Sequence, residues 1–324
     1  MLEECMPSKH IGKFVVHPYP LLVHLILLVW LLFLWKNSNT QILRVNPQQH
    51  QEYIFTSLAH FNPLFIKRNK LKEVKVSVAI KPDMEAIKQT KLFHEYIFNE
   101  DGVLDQQIET YYRTKKDVDS IITKYTYDNS GSIVQEIRKD KQGHYAYSFK
   151  LENNKPVELS YTRRKMLDDS SGAYKDVVIF KESYEWDTIP LNGGTEIVKY
   201  VINDIGKKYK REFWKYDSTS ALISKGFHLI MNGQGEEISY TYDLYGRVSS
   251  QEIIELPKRK RVSSTQFVYD EEGNLLYENT TENGEQVKKK EYLYDEGMMI
   301  KTQLVRDDET ATFHIYKASY TFYK

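Results

Sequence analysis

One cysteine, Cys5, stands in 324 residues, and it precedes the chain's only long apolar run. The rest of the chain therefore has no disulfide framework and no thiol chemistry. Nor is Cys5 a lipoprotein anchor, because such a cysteine follows the apolar run. Charge of one sign is not in excess either. Lys plus Arg and Asp plus Glu number 45 each, so no global field gathers nucleic acid or anionic lipid. Glycine (15) and proline (9) are sparse while tyrosine reaches 25, a balance that suits long strands with an aromatic face. Catalytic signatures are missing as well. The chain has no Gly-x-Ser-x-Gly elbow and no glycine-rich loop ahead of a helix to cradle phosphate. Histidines 60, 94, 144, 228 and 314 stand singly, none with a partner at i+2, i+3 or i+4 to start a metal site.

The apolar run is Leu21 to Trp35, interrupted only by His24 and preceded by Lys9 and Lys13. Its length matches the core of a signal peptide and falls short of the ~20 residues that span a bilayer as a helix. Small residues at Ser38 and Thr40 offer a cleavage site before Gln41. The segment reads as a cleaved signal or as an uncleaved N-terminal anchor; burial as an ordinary core helix is the third reading. In the first two, residues 41–324 are exported, to the periplasm, the cell surface or the medium.

What the chain does have is a recurring phrase: aromatic, any residue, aromatic, Asp, two residues, Gly, any residue, aliphatic. It reads Tyr125-Thr-Tyr127-Asp128-Asn-Ser-Gly131-Ser-Ile133, Tyr240-Thr-Tyr242-Asp243-Leu-Tyr-Gly246-Arg-Val248 and Phe267-Val-Tyr269-Asp270-Glu-Glu-Gly273-Asn-Leu275. Weaker copies are Tyr96-Ile-Phe98-Asn99-Glu-Asp-Gly102-Val-Leu104 and Tyr292-Leu-Tyr294-Asp295-Glu-Gly297, the second one residue short in its turn. Trp214-Lys-Tyr216-Asp217-Ser-Thr-Ser220-Ala-Leu222 keeps all but the glycine. Aromatics at i and i+2 share one face of a strand. The Asp accepts a hydrogen bond from the backbone two residues on, and the Gly supplies a left-handed position. The phrase is thus a hairpin signal. From Tyr216 to Tyr242, Tyr269 and Tyr294 the steps are 26, 27 and 25 residues, a unit of two strands and two turns. Degenerate copies are placed at Ser160-Tyr161-Thr162 and Tyr184-Glu-Trp186-Asp187.

At these residues the chain resembles the YD-repeat family of Rhs and teneurin-type shells, over about residues 90–324. The resemblance implies a rolled or strongly twisted β-sheet. The units are longer than that family's usual repeat, the chain is too short to close its large shell, and no toxin-like tail is evident.

The expected fold is all-β: an antiparallel meander of repeated hairpins forming a long twisted or rolled sheet, with one short N-terminal helix. About 16 to 18 strands fit between Glu73 and Lys324, and Pro47 to Phe61 has helical spacing at Tyr53, Ile54, Leu58 and Phe61. The domains are 1–40, signal or anchor; 41–70, a leader with the helix; and 71–324, the repeat domain.

The candidate site residues are those of the phrase, read as structural. The aromatics are better explained as core between sheet layers, with hydroxyls reaching water at the rim, than as a glycan or peptide platform. The turn acids are better explained as caps than as calcium ligands, since calcium wants six to eight oxygens. The basic cluster Lys258 to Arg261 reads as a charged hairpin tip, with contact to phosphate or lipid head groups as its functional alternative. Lys288 to Lys290 reads as strand. The expected function is a non-catalytic exported scaffold or binding protein of the bacterial envelope, with a protein or glycan partner, no cofactor and no nucleic acid. Membrane contact is expected only through the N-terminal segment. An outer-membrane β-barrel is the second reading. Against it, Lys288 and Lys290 share a face with Tyr292 and Tyr294, and Glu252 shares one with Val248 and Ile254, where lipid would meet charge. A glycan hydrolase with an unrecognised carboxylate pair is the third.

Overall fold

The computed structural model describes residues 41–48, 59–114, 117–166 and 174–324. The apolar run and its cleavage site lie outside them. So do residues 49–58, most of the expected helix. The end of that helix is corrected: Ala59–Phe61 is a strand, and the helix follows at Pro63–Arg68. Asn62 caps it, accepting from the Leu64 N–H, and Pro63 occupies the first turn, where a missing N–H costs nothing.

Twenty strands are present among the described residues. Leu43–Val45 (β1) and Ala59–Phe61 (β2) form a small antiparallel pair, and the helix Pro63–Arg68 is α1. The remaining eighteen are β3 (Leu71–Pro82), β4 (Lys88–Phe98), β5 (Leu104–Tyr112), β6 (Val118–Tyr127), β7 (Ile133–Asp140), β8 (Gly143–Glu152), β9 (Lys155–Met166), β10 (Tyr174–Leu191), β11 (Gly194–Ile202), β12 (Lys208–Asp217), β13 (Leu222–Leu229), β14 (Gly235–Tyr242), β15 (Val248–Leu256), β16 (Lys260–Tyr269), β17 (Leu275–Glu282), β18 (Glu285–Tyr294), β19 (Ile300–Asp307) and β20 (Thr312–Phe322).

Each of the eighteen pairs antiparallel with its neighbours in sequence, as the short turns require. The sheet is not open or rolled. Strand β20 pairs with β3 from Thr312↔Pro82 to Phe322↔Leu71, closing an 18-strand barrel. Closure removes both edges, each of which would otherwise expose a row of unpaired backbone groups.

An up-and-down meander puts every second turn at the same end. The turns after β4, β6, β12, β14, β16 and β18 carry the phrase, so all six crowd one mouth, together with the start of β3 and the end of β20. This mouth also receives the turns after β8 and β10. Tyr161 corrects one degenerate copy: it lies in the middle of β9, and the strand end at that step is Glu152 on β8. The phrase geometry also turns up where the sequence reading missed it, at Asn203 to Lys207 on the opposite mouth. There the Asn203 side chain accepts from the Lys207 N–H, and Gly206 is left-handed at φ 77°.

In five of the six phrase turns the Asp or Asn side chain accepts backbone N–H bonds from the second and fourth residues on. Asp243 takes them from Tyr245 and Arg247 at 2.9 Å each, and Asp217 from Thr219 and Ala221 at 2.8 and 2.9 Å. Asn99, Asp128 and Asp295 do the same, while Asp270 takes the Asn274 N–H. The turn glycines Gly102, Gly131, Gly246 and Gly273 sit at φ 75–90°. Gly297 does not. The Asp295 turn is full length, and Met298 holds the left-handed position at φ 60°, as Ser220 does at 66° in its copy. After each turn the register slips by one residue, pairing for example Tyr242 with Val248 and Thr241 with Ser250. That bulge turns the aliphatic residue to the same side as the tyrosine.

The second aromatic then reaches across to the neighbouring unit. The Tyr242 hydroxyl donates to the Leu222 carbonyl at 2.6 Å, Tyr269 to Val248 at 2.8 Å, Tyr294 to Leu275 at 2.8 Å and Tyr320 to Ile300 at 2.5 Å. Tyr127 reaches Leu104 at 2.7 Å, and in the degenerate copy the Trp186 indole N–H reaches the Pro156 carbonyl at 2.7 Å. In each pair the ladder has already stopped, for instance at Ser250↔Gln266 between β15 and β16. The hydroxyl satisfies a carbonyl that the splayed strands leave open. These hydroxyls do not reach water at the rim, as their sequence positions suggested; they tie one repeat to the next.

Two outcomes follow. Tyr269→Phe keeps the ring and loses only the bond to Val248, and should lower stability by ~1 kcal/mol, read as a lower urea midpoint. Ser220→Gly relieves a left-handed side-chain residue and should raise that midpoint, by about 0.5–1 kcal/mol.

Candidate functional site: a lumen plugged at one mouth

An 18-strand barrel of circular section at the usual strand tilt has a backbone diameter of ~35 Å, too wide for wall side chains to fill. The chain fills part of that space with its own leading segment. Residues 41–47 and 59–67 are tied together by Asn62, whose N–H donates to the Ile42 carbonyl at 2.9 Å and whose side-chain amide donates to the Gln41 carbonyl at 3.1 Å. On one side Phe61 packs edge-on against Tyr96 and Phe98, with ring centroids 4.9 and 5.0 Å away. The β4–β5 turn lies against α1: a Cβ on Gly102 would sit 2.2 Å from the Pro63 carbonyl oxygen. On the other side Lys225 of β13 donates to the Pro47 carbonyl at 2.9 Å, and Gln41 reaches the Glu272 carbonyl in the β16–β17 turn at 3.4 Å. Strands β4 and β13 stand nine places apart in the ring of eighteen. A segment touching both crosses the lumen. It is a plug.

The phrase residues form the ring around it. Tyr96, Phe98, Trp214, Tyr240, Phe267 and Tyr292 are buried in one cluster with Ile42, Phe61, Phe65 and Ile66 of the plug. Tyr125, Tyr216, Tyr242, Tyr269 and Tyr294 pack against that cluster. The aromatics are thus core, but core around a plug rather than between two sheet layers. Asp128, Asp217, Asp243, Asp270 and Asp295, with Gly102, Gly131, Gly246 and Gly273, form the turns of the rim.

The rest of the inner wall is polar and mostly self-paired. Glu278 accepts from the Tyr292 hydroxyl at 2.5 Å and pairs with Lys290 at 3.3 Å, deep in the wall. Lys199 pairs with Glu212 while its ammonium lies over the rings of Tyr184, Trp186 and Trp214. Glu182 accepts from Tyr184 and Tyr209. Tyr145, Tyr147 and Tyr161 stack on one another, with Tyr147 and Tyr161 centroids 4.5 Å apart, so their faces are spent on each other. Among the described residues no group of three or more His, Cys, Asp or Glu side chains is placed to hold a metal ion.

Register also sorts the charges named against a membrane barrel. Lys288 and Lys290 pair with Asp307 and Val305 on the face that carries Tyr292, which is the lumen side. Glu252 does face outward with Ile254, opposite Ser239, but the bulge after Val248 turns that valine inward. Other outward charges form ion pairs between strands: Lys75–Glu95 at 3.4 Å well inside β3 and β4; Arg164–Asp176 at 2.9 Å, Arg211–Glu196 at 2.7 Å and Lys215–Glu237 at 3.0 Å at the third or fourth residue from a strand end; and Arg261–Glu252 at 3.2 Å, from the start of β16 to the middle of β15. No described helix is long and apolar enough to cross a membrane, which leaves the strands undecided.

Fold and lumen together define a plugged, closed antiparallel β-barrel. No family model matches the chain, and no curated protein matches its sequence. Among solved structures, a porin-like protein from Bacteroides uniformis is similar at TM-score 0.37 and 10% identity, over 78% of this chain and 97% of that one. A porin-like protein from Bacteroides vulgatus gives 0.28 and 11%, over 66% and 97%. A TcdB2-TccC3 structure gives 0.21 and 11%, over 66% of this chain and 17% of that one. Likenesses this weak carry no argument about function, and the YD-repeat resemblance stays a resemblance.

One arrangement escaped the sequence reading because it depends on register. Glu236 and Glu255 face each other across β14 and β15. Burial raises the Glu236 carboxyl above its ordinary value. A carboxyl held above its unfolded value costs stability once it ionises. Glu236→Gln should therefore raise the melting temperature at pH 7, by about 0.5 kcal/mol of stability, and the gain should vanish as the pH falls below the folded-state value.

Proposed function

We propose that the protein is a non-catalytic, water-facing β-barrel of the cell envelope that holds a partner, protein or glycan, at its lumen through the unplugged mouth. The observation that carries this reading is the outer wall. Charged side chains face outward at many points of the ring, the Lys75–Glu95 pair and Glu252 well inside their strands, and each charge in a lipid-facing band costs ~2–4 kcal/mol near the bilayer centre. In water the same pairs cost little. The plug supports the reading from inside, since it closes one mouth and leaves the opposite one as the way in.

The outer-membrane β-barrel is the second reading. It is favoured by the closed, even-numbered antiparallel meander with both ends of the sheet at one mouth, which is the architecture of such barrels. Here the charges first set against it at Lys288 and Lys290 lie in the lumen, so the outward ion pairs alone oppose it.

Fractionation with intact-mass analysis separates the two. Protein that has lost residues 1–40 and leaves the membrane pool in alkaline carbonate supports the water-facing barrel. Processed protein that resists carbonate and needs detergent overturns it in favour of the membrane barrel. For full-length protein, proteolysis near Gln41 makes the same distinction: residues 41–324 come off without detergent only if the barrel faces water.

A further inference from the structure

At the unplugged mouth several hairpin tips end in bare apolar side chains. Ile205 in the β11–β12 turn is 70% exposed, and Ile230 and Met231 in the β13–β14 turn are 44% and 95% exposed. The next tip along, β15–β16, is the basic cluster Lys258 to Arg261. These tips adjoin. The Ile230 N–H donates to the Tyr209 carbonyl at the foot of β12, and a Cβ on Gly233 would sit 3.9 Å from the Pro257 Cβ. Arg259 and Arg261 are paired with Glu237 and Glu252. Lys207, Lys258 and Lys260 add positive charge, against Asp204 and Glu255 here and Asp83 beside Met84 on the β3–β4 tip. Across the ring the β3–β4 tip adds Met84, fully exposed, and Ile87 at 52%.

We propose that this mouth docks on an anionic lipid surface. Large apolar side chains on convex tips gain nothing in water, and they offer no cupped surface for a compact protein. They suit insertion among lipid head groups, where flanking lysines meet phosphate. The tips on opposite sides of the mouth are met together only by an extended, flat partner. The interior of the wall plays no part in the docking, but this mouth is also the way into the lumen, so a docked barrel would meet its partner at the membrane surface. Docking is also distinct from membrane insertion, since only tip residues enter the interface.

The test is co-sedimentation of the full chain, as isolated, with vesicles of phosphatidylcholine alone or mixed with phosphatidylglycerol. Wild type should bind the anionic vesicles at least ten-fold more tightly than the neutral ones, and high salt should weaken that binding. Ile205→Asp with Met231→Asp should reduce binding to the anionic vesicles at least ten-fold, with the circular dichroism spectrum unchanged because both side chains stand in solvent. Leu244→Asp, at a fully exposed tip of the plugged mouth, should leave binding as it is. Equal binding of wild type and the double variant would assign the interaction to residues 21–35 and overturn the proposal. So would the absence of any preference for anionic vesicles. Neither result touches the carbonate test of the wall.

Discussion

The bond from the second tyrosine of four of the six phrases, repeated by Tyr320, to a carbonyl in the neighbouring unit is the interaction on which the rest depends. Strands splay where a phrase turn begins, because the bulge and the five-residue turn pull the backbone out of register. A carbonyl left open there, beside a buried plug, would cost a desolvated acceptor. The tyrosine closes the gap from the side-chain direction. It also puts its ring into the lumen, where the plug needs a partner. One residue thus joins hairpin to hairpin and wall to plug, which explains why the aromatic position recurs more faithfully than the glycine. Where a hydroxyl is lacking, as at Trp186, an indole N–H serves.

A closed sheet of this width has two problems, an unfilled interior and a large outer surface. The wall meets the second with ion pairs between strands: Arg164–Asp176 and Arg261–Glu252 are exposed, while the Glu196 and Glu237 carboxylates are buried beneath Arg211 and Lys215. The first is solved only at one mouth. There the aromatics gather because the six phrase turns with paired aromatics fall at the same end of an up-and-down meander. Further in, the wall carries buried polar clusters such as Glu278 with Lys290 and Tyr292, whose hydrogen-bonding capacity is met within the wall itself.

The two mouths consequently differ in character. One is partly filled by the leading segment among packed aromatics, and its turns are acid-capped. The other is open, with tips that combine bare isoleucine and methionine with lysine. That polarity comes from the even strand count and from a leading segment that enters beside β3.

Much of this was legible in the chain. The repeat phrase identified strand ends, turns and the inward face, because side chains alternate with period two and Asp and Gly have local, nearly context-free roles in turns. The strand count and antiparallel pairing followed from turn lengths too short for crossovers. Local rules failed wherever a neighbour decided. Met298 takes the left-handed place that Gly297 advertised, since turn length is set by the carbonyl that the returning strand must meet. Glu236 opposes Glu255, and Lys290 meets Glu278, only through register. Closure of β20 onto β3, the crossing of the lumen by residues 41–47 and 59–67, and the side on which each charge falls belong to the tertiary structure alone. They depend on pairing between residues some 240 positions apart, and no local propensity reaches that far.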